Sequence, residues 1–317
     1  MAGATVAGDV DISSGVFDRV DTVVPPHAWF AISAISRYLG PSFAVLLFPA
    51  VGVLGVAWLR IAAAAALFTV FSRPWRLWVP LQPSERFVLA GLGVCLALMN
   101  CCFYLALARL PIGLVAAIEF LGTLALALYG LRTARNLMGL ALAAGGVYLL
   151  IDVRWASDLS GLTLAFLNGG LFLLYLILGH RIARSGAATG IERLAAAMGV
   201  AFVVVFPIGI SQVVAIFSRP SLILAGVGVG ICSSVVPYVC DQLAMARLPR
   251  ASFALLLTLL PATAAIMGAI VLAQIPSARD IAGILLVMAG VAIHRPAEVR
   301  PAPSRSLLVP KGGSNQE

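Results

Sequence analysis

Between residues 28 and 294 the chain never offers a polar stretch long enough to form a separate water-soluble domain. That continuity constrains the fold more than any motif does. A helix needs about 20 apolar residues to cross the hydrocarbon of a bilayer, and the interval divides into ten runs of about 27 residues, connection included. The runs are residues 28–49, 52–72, 87–107, 112–130, 136–152, 160–180, 194–216, 222–244, 251–274 and 279–294. Composition agrees: 61% of the residues are apolar and 11% charged, against roughly 45–50% and about 25% in soluble domains. A spanning β-barrel would alternate apolar and polar residues over about 10-residue segments. The runs from Leu137 to Ile151 and from Leu222 to Val236 do not alternate. The expectation is an all-α membrane protein with ten transmembrane helices.

The ends differ from the middle. Residues 1–27 carry Asp9, Asp11, Asp18 and Asp21 against Arg19 and finish in Pro25-Pro26-His27. They lack the basic start, apolar core and cleavage site of a secretory signal. Residues 295–317 are basic, Pro-bearing and polar. Both segments hold too little apolar surface to fold and are expected to be disordered tails.

The net charge of +8 is a matter of placement. With both ends inside the cell, 15 of the 21 basic residues fall in cytoplasmic segments. Only Arg109, Arg154, Arg219 and Arg279 fall outside, while Arg37 and Arg60 lie within spans. This asymmetry over short loops fixes the orientation and makes nucleic acid an unexpected partner.

Two copies of one unit are visible. Ala106-Leu107-Ala108-Arg109-Leu110-Pro111 recurs as Ala244-Met245-Ala246-Arg247-Leu248-Pro249. Ala134-Arg135-Asn136, Gly139 and Gly146 recur as Ala278-Arg279-Asp280, Gly283 and Gly290. The change of offset leaves extra residues in the second copy, around Gln274 to Ser277. Five spans per copy is odd, so the second copy must enter the membrane from the opposite side. The expected domains are a five-helix repeat over residues 28–152 and an inverted one over 160–294. Inverted repeats are a transporter architecture, with the substrate site near the midplane between the halves.

An ionisable side chain at the bilayer centre costs at least about 2.5–3.5 kcal/mol and needs a reason to be there. Arg37, Arg60 and Glu119 each lie roughly 10–15 Å into a span at 1.5 Å per residue. Asp241 lies in the last turn of span 8, where the sequence suggests a helix-end residue paired with Arg247 or Arg250. Glu119 fits a proton-exchanging carboxylate; the alternative is a buried partner of Arg60 that locks spans 2 and 4. Arg60 fits a substrate carboxylate through its planar fork. Arg37 could snorkel toward the interface. Asn100 and Tyr104, four apart on span 3, share a face, and Tyr238, Ser233 and Ser234 offer similar groups on span 8. Such groups either line a cavity or bond neighbouring helices. Pro237 and Pro261 break backbone bonds at depth.

Other signals carry no chemistry. Gly226, Gly228 and Gly230 lie in an apolar span with no strand before them and suit close helix packing. The five Cys all fall in spans without metal spacing. The three His lie at membrane edges, which leaves a membrane protease or a His-cluster oxidase without its parts. No catalytic residue, metal or cofactor is expected.

Several motifs in fixed order resemble a known family. They are Leu47-Phe48-Pro49 through Val51-Gly52, Gly55-Val56 with Leu59-Arg60, and Pro74-Trp75-Arg76-Leu77. Met99-Asn100 with Phe103-Tyr104 and Ala117-Ile118-Glu119-Phe120 with Gly122 follow, then Pro237-Tyr238, Ala246-Arg247-Leu248-Pro249 and Pro261-Ala262. Over residues 38–294 the chain resembles the EamA branch of the drug/metabolite transporter superfamily, most closely its threonine/homoserine exporter (RhtA-like) group. The resemblance implies a ten-helix inner-membrane carrier with both termini inside, exporting small amino acids by exchange for protons. It implies that Arg60, Asn100, Tyr104, Glu119 and Tyr238 surround the central cavity; beside the resemblance, Arg37, Thr123 and Asp241 are further candidates along the pathway. The chain departs from the family where relatives often carry Glu, Pro, Glu and Lys; here Leu260, Thr123, Gln274 and Val45 stand. Arg37 is outside the pattern. The alternatives are a facilitator or importer of another metabolite, and a membrane scaffold or sensor that does not transport.

Overall fold

The computed structural model describes residues 25–72, 81–130, 133–151, 158–183, 187–247 and 256–293. Every regular element among them is helical. In chain order they are α1 (Pro26–Val51), α2 (Val53–Ser72), α3 (Pro83–Leu107), α4 (Ile112–Gly130) and α5 (Ala134–Leu150), followed by α6 (Leu159–Ala183) and α7 (Ala187–Val214). Then come α8 (Pro220–Gly230), a π-helical turn (Ile231–Val235), α9 (Val236–Arg247), α10 (Leu260–Leu272) and α11 (Ala278–Ile293). Five stretches are long and apolar enough to cross a bilayer: His27–Val51, Val53–Val70, Pro83–Leu107, Arg193–Val214 and Pro220–Asp241, the last running through the π-turn. Shorter apolar helices accompany them, and many large apolar side chains such as Phe87, Val203 and Ile270 face outward. In water that surface would be untenable; in lipid it is the contact surface. The chain is a multi-pass membrane protein.

Helix ends at a membrane boundary must find partners for their free N–H groups, and side chains supply several. Thr133 Oγ1 accepts from Asn136 N at the start of α5. Ser277 Oγ accepts from Asp280 N at the start of α11, while Asp280 receives both the amide and the hydroxyl of Ser277. These two caps occupy corresponding positions of the two copies. Asp158 caps α6, and the Ser160 hydroxyl and the Gly161 amide hold its carboxyl below the usual carboxylate range. Between α1 and α2 only Gly52 is non-helical, at φ 85°, a conformation that suits a residue without Cβ. Gln212 of α7 then accepts from Gly55 N at 2.6 Å, and Gln274 accepts from Ile112 N at the start of α4 at 3.2 Å.

The packing pattern is regular. α5 lies antiparallel against α11, with Arg135 at the start of α5 donating to Ile293 O at the end of α11 at 2.7 Å. A Cβ on Gly146 would lie 2.5 Å from Gly283 O, and one on Gly290 would lie 2.4 Å from Gly139 O. Close approach of the two backbones thus depends on residues without side chains. α2 packs on α7 through Trp58, whose ring lies 5.4 Å from Phe202 and 6.0 Å from Phe206. α1 contacts α8, the π-turn, α9 and α10, while α6 contacts α3 and α4.

Two expectations need correction. Span 9 is interrupted: Leu256 and Leu257 are helical, a turn occupies Thr258 and Leu259, and α10 starts at Leu260, while residues 251–255 lie outside the described residues. Pro261 therefore sits in the first turn of a helix, where its missing N–H breaks no bond. The predicted span 8 is not uniformly α-helical but widens at Ile231–Val235 just before Pro237, with Val236 N bonded back to Ile231 O. Both tails lie almost wholly outside the described residues.

The glycine seam makes a prediction with opposite signs at neighbouring positions. Gly146→Ala drives a methyl into Gly283 O and should destabilise by about 1–3 kcal/mol, as overpacking does. A Cβ on Gly145 would meet nothing within 4 Å, so Gly145→Ala should be neutral or gain up to about 1 kcal/mol from helix propensity. Thermal melts in detergent measure both.

Candidate functional site

Interior polar groups meet where α1 and α2 pack on the π-turn and α9, with Tyr104 of α3 beside Arg60. Pro237 has no N–H to return to the carbonyl of Ser233, one helical turn earlier. Arg60 of α2 takes that carbonyl: its Nη2 donates to Ser233 O at 3.3 Å, and its Nε donates to Ser234 Oγ at 3.1 Å. Gly230 makes this approach possible, because a Cβ there would lie 2.9 Å from Arg60 O and 3.1 Å from its Cα. Gly226 does the same against Leu59, so two of the three glycines serve helix contact, whereas a Cβ on Gly228 would meet nothing within 4 Å. The Arg60 guanidinium also lies over the Tyr104 ring, 5.4 Å from its centroid, a cation–π geometry. Tyr104 is wholly buried, packed by Phe48 at 5.8 Å and Phe103 at 5.7 Å, and its hydroxyl has no hydrogen-bond partner among the described residues.

Asn100, one turn before Tyr104, is buried and donates through Nδ2 to Leu96 O at 2.8 Å. Part of its amide is thus spent on its own helix. Glu119 on α4 sits in the protein interior, retains some accessible surface, and lies within electrostatic reach of Arg37 and Arg60. The Arg60 hydrogen bonds go to Ser233 and Ser234 and not to Glu119, so the expected alternative of an Arg60–Glu119 lock is not what joins α2 and α4. Backbone closeness holds α4 in place instead: Gly169 of α6 would put a Cβ 3.4 Å from Ile118 O and 3.7 Å from Glu119 Cα.

Asp241 is a second correction. Its partners are on α1: Arg37 Nη2 donates to one carboxylate oxygen and Ser33 Oγ to the other, while Ser33 also reaches Pro237 O at 3.3 Å. Ser33 and Arg37 are one turn apart and so present one face to α9. Arg37 thus joins α1 to α9. Sequence spacing could not pair residues 204 positions apart. Thr123 and Tyr238 lie on α4 and α9, but their side chains are outside the described residues, as are those of Arg247 and Arg250.

One interior residue, Asn168, gives no signal to a reading of charges in spans. It lies on α6, is fully buried, and neither its Oδ1 nor its Nδ2 finds a partner among the described residues. The signal that marks it is an amide in the middle of an apolar run. All five cysteines are free, and four of them are buried. No group of His, Cys, Asp and Glu able to hold a metal occurs among the described residues.

The Arg37–Asp241 pair predicts a coupling. Removing one member of a buried pair costs about 3–5 kcal/mol; with Arg37 32% exposed and Asp241 13%, solvent reduces that to about 1–3 kcal/mol. Asp241→Asn should lower stability by that amount, and Arg37→Gln in the same chain should restore part of it. Strictly additive losses in melts of the single and double variants would show that the two side chains do not interact.

Comparison with known proteins places this arrangement in a family. The chain is 35% identical over 239 residues to the threonine/homoserine exporter RhtA of Escherichia coli K12, covering 74% of this chain and 79% of that one. It is 33% identical over 247 residues to the protein of the same name from Salmonella typhimurium LT2, covering 77% and 81%. No protein-family model matches the chain, and no solved structure matches it. At this identity over this share of both chains, the protein belongs to the RhtA-like group of the EamA branch of drug/metabolite transporters.

Proposed function

We propose that the protein is a secondary transporter of the inner membrane that exports a small amino acid of the threonine/homoserine type. The observation that carries the reading is the match along three quarters of the chain to relatives named as exporters of those two amino acids. The interior chemistry supports it. A zwitterion needs a cation for its carboxylate and an anion for its ammonium, and Arg60 and Glu119 offer one of each within electrostatic reach. Arg60 meets the carboxylate through its fork, with the Tyr104 hydroxyl, unpaired among the described residues, on the neighbouring helix. Glu119 takes the ammonium or a proton in turn, which couples efflux to proton entry.

The carrier cycle we propose is alternating access between two inverted five-helix repeats, α1–α5 and α6–α11, with α8, the π-turn and α9 counted as one span. The domains then run over residues 28–152 and 160–294, with both termini cytoplasmic. Packing supports a pseudo-two-fold relation. Gly139 and Gly283 correspond in the two copies, as do Gly146 and Gly290, and the contacts are crossed: Gly146 meets Gly283 and Gly139 meets Gly290. Crossed pairs of that kind are what a two-fold axis produces. The contacts of α1 with α8–α9 and α10 likewise mirror those of α6 with α3 and α4. Two near-equivalent packings, one open to each face, are the means of alternating access.

Proteoliposome counterflow with labelled threonine and homoserine tests the reading. Exchange of either amino acid, accelerated by an inward proton gradient, is expected. Glu119→Gln should insert normally but lose the response to the gradient; a full response in that variant would remove Glu119 from coupling.

A further inference from the structure

The charged ends of the substrate are accounted for by Arg60 and Glu119, yet the transported amino acids named for the relatives differ from most by carrying a side-chain hydroxyl. Asn168 stands apart from the other interior polar residues. Its exposure is 0%, and both halves of its amide are unpaired among the described residues. An amide left this way in a helix bundle is costly, because its water is lost and nothing replaces it.

Its position is informative. The buried stripe of α6 comprises Gly161, Ala165, Asn168 and Gly169, and α6 packs on α3 and α4. Gly169, the next residue, meets the backbone of α4 at Ile118 and Glu119, and Gly122 would meet Gly169 O at 3.2 Å. Asn168 is therefore carried to within one residue of the point where α6 touches the helix position of Glu119.

The chemistry selects what it can take. An amide presents an acceptor oxygen and an NH2 donor. An ammonium only donates and would leave the NH2 unsatisfied; a carboxylate only accepts and would leave the oxygen unsatisfied. A hydroxyl does both, donating to Oδ1 while accepting from Nδ2. We infer that Asn168 is a substrate-contacting residue that receives the side-chain hydroxyl of the transported amino acid. This rests on the exporter reading above and adds the group that distinguishes hydroxylated substrates from their deoxy analogues. A site built to bond a hydroxyl discriminates strongly against an analogue without one, because its own polar groups are then stranded.

The test compares threonine with 2-aminobutyrate, the same skeleton without the hydroxyl, using the full-length protein. Half-saturation in counterflow and ligand-dependent melting in detergent are measured for the wild type, Asn168→Leu and Asn168→Ser. The wild type should prefer threonine by roughly tenfold or more. Asn168→Leu should melt no lower than wild type without ligand and should lose that preference while still exchanging 2-aminobutyrate. Asn168→Ser repeats the comparison if the Leu variant does not accumulate, and it too should show a reduced preference. An undiminished threonine preference in the variants overturns the inference, as does a marked loss of unliganded stability, which would make the amide a structural partner. A wild type that neither binds nor exchanges threonine is a different result: it removes the exporter reading and this inference with it.

Discussion

Inside hydrocarbon every backbone and side-chain polar group must be satisfied by the protein itself, and one joint in this molecule shows what that demands. Pro237 takes a donor away from the helix that contains it. The turn before it widens into a π-helix, and the carbonyl of Ser233 bonds outward to Arg60. The guanidinium, costly at that depth, is in turn held by the Ser234 hydroxyl and the face of Tyr104. A local defect in α9 and a misplaced charge in α2 thus answer each other. Because they come from different halves of the chain, the joint binds those halves where polar chemistry is concentrated.

The same economy runs through the periphery of the bundle. Gln212 and Gln274 each cap a helix that begins after a tight connection, and the extra residues of the second copy supply Gln274 for that task. Glycine contacts fix the seam between α5 and α11, and Gly226 and Gly230 do the same between α8 and α2.

Much of this is legible in the chain. Spans can be read because bilayer thickness sets a length and apolarity sets a boundary; the starts and ends of most helices fall within a few residues of those expected. The repeat is legible through Arg-Leu-Pro and Ala-Arg, and the structure adds the matching caps at Thr133 and Ser277. The site is legible only as a set of candidates. Charges such as Arg60 and Glu119 stand out against oil, but their partners are chosen by packing between helices far apart in sequence. Local spacing sees only neighbours and so points Asp241 at the nearby arginines, whereas Ser33 and Arg37 reach it across the bundle. The π-turn leaves no mark beyond the proline that follows it, and Asn168 escapes notice because an uncharged amide in a span stands out less than a charge.

Alternating access of this kind requires the second half to lie upside down relative to the first. Ala134 and Ala278 occupy corresponding positions of the two copies, and both are exposed. Single cysteines placed there in a background lacking the five native ones can be labelled with a membrane-impermeant maleimide in intact cells. The inverted arrangement predicts that Ala278→Cys reacts from outside and Ala134→Cys only after the membrane is opened. Labelling of both from the same side would contradict it.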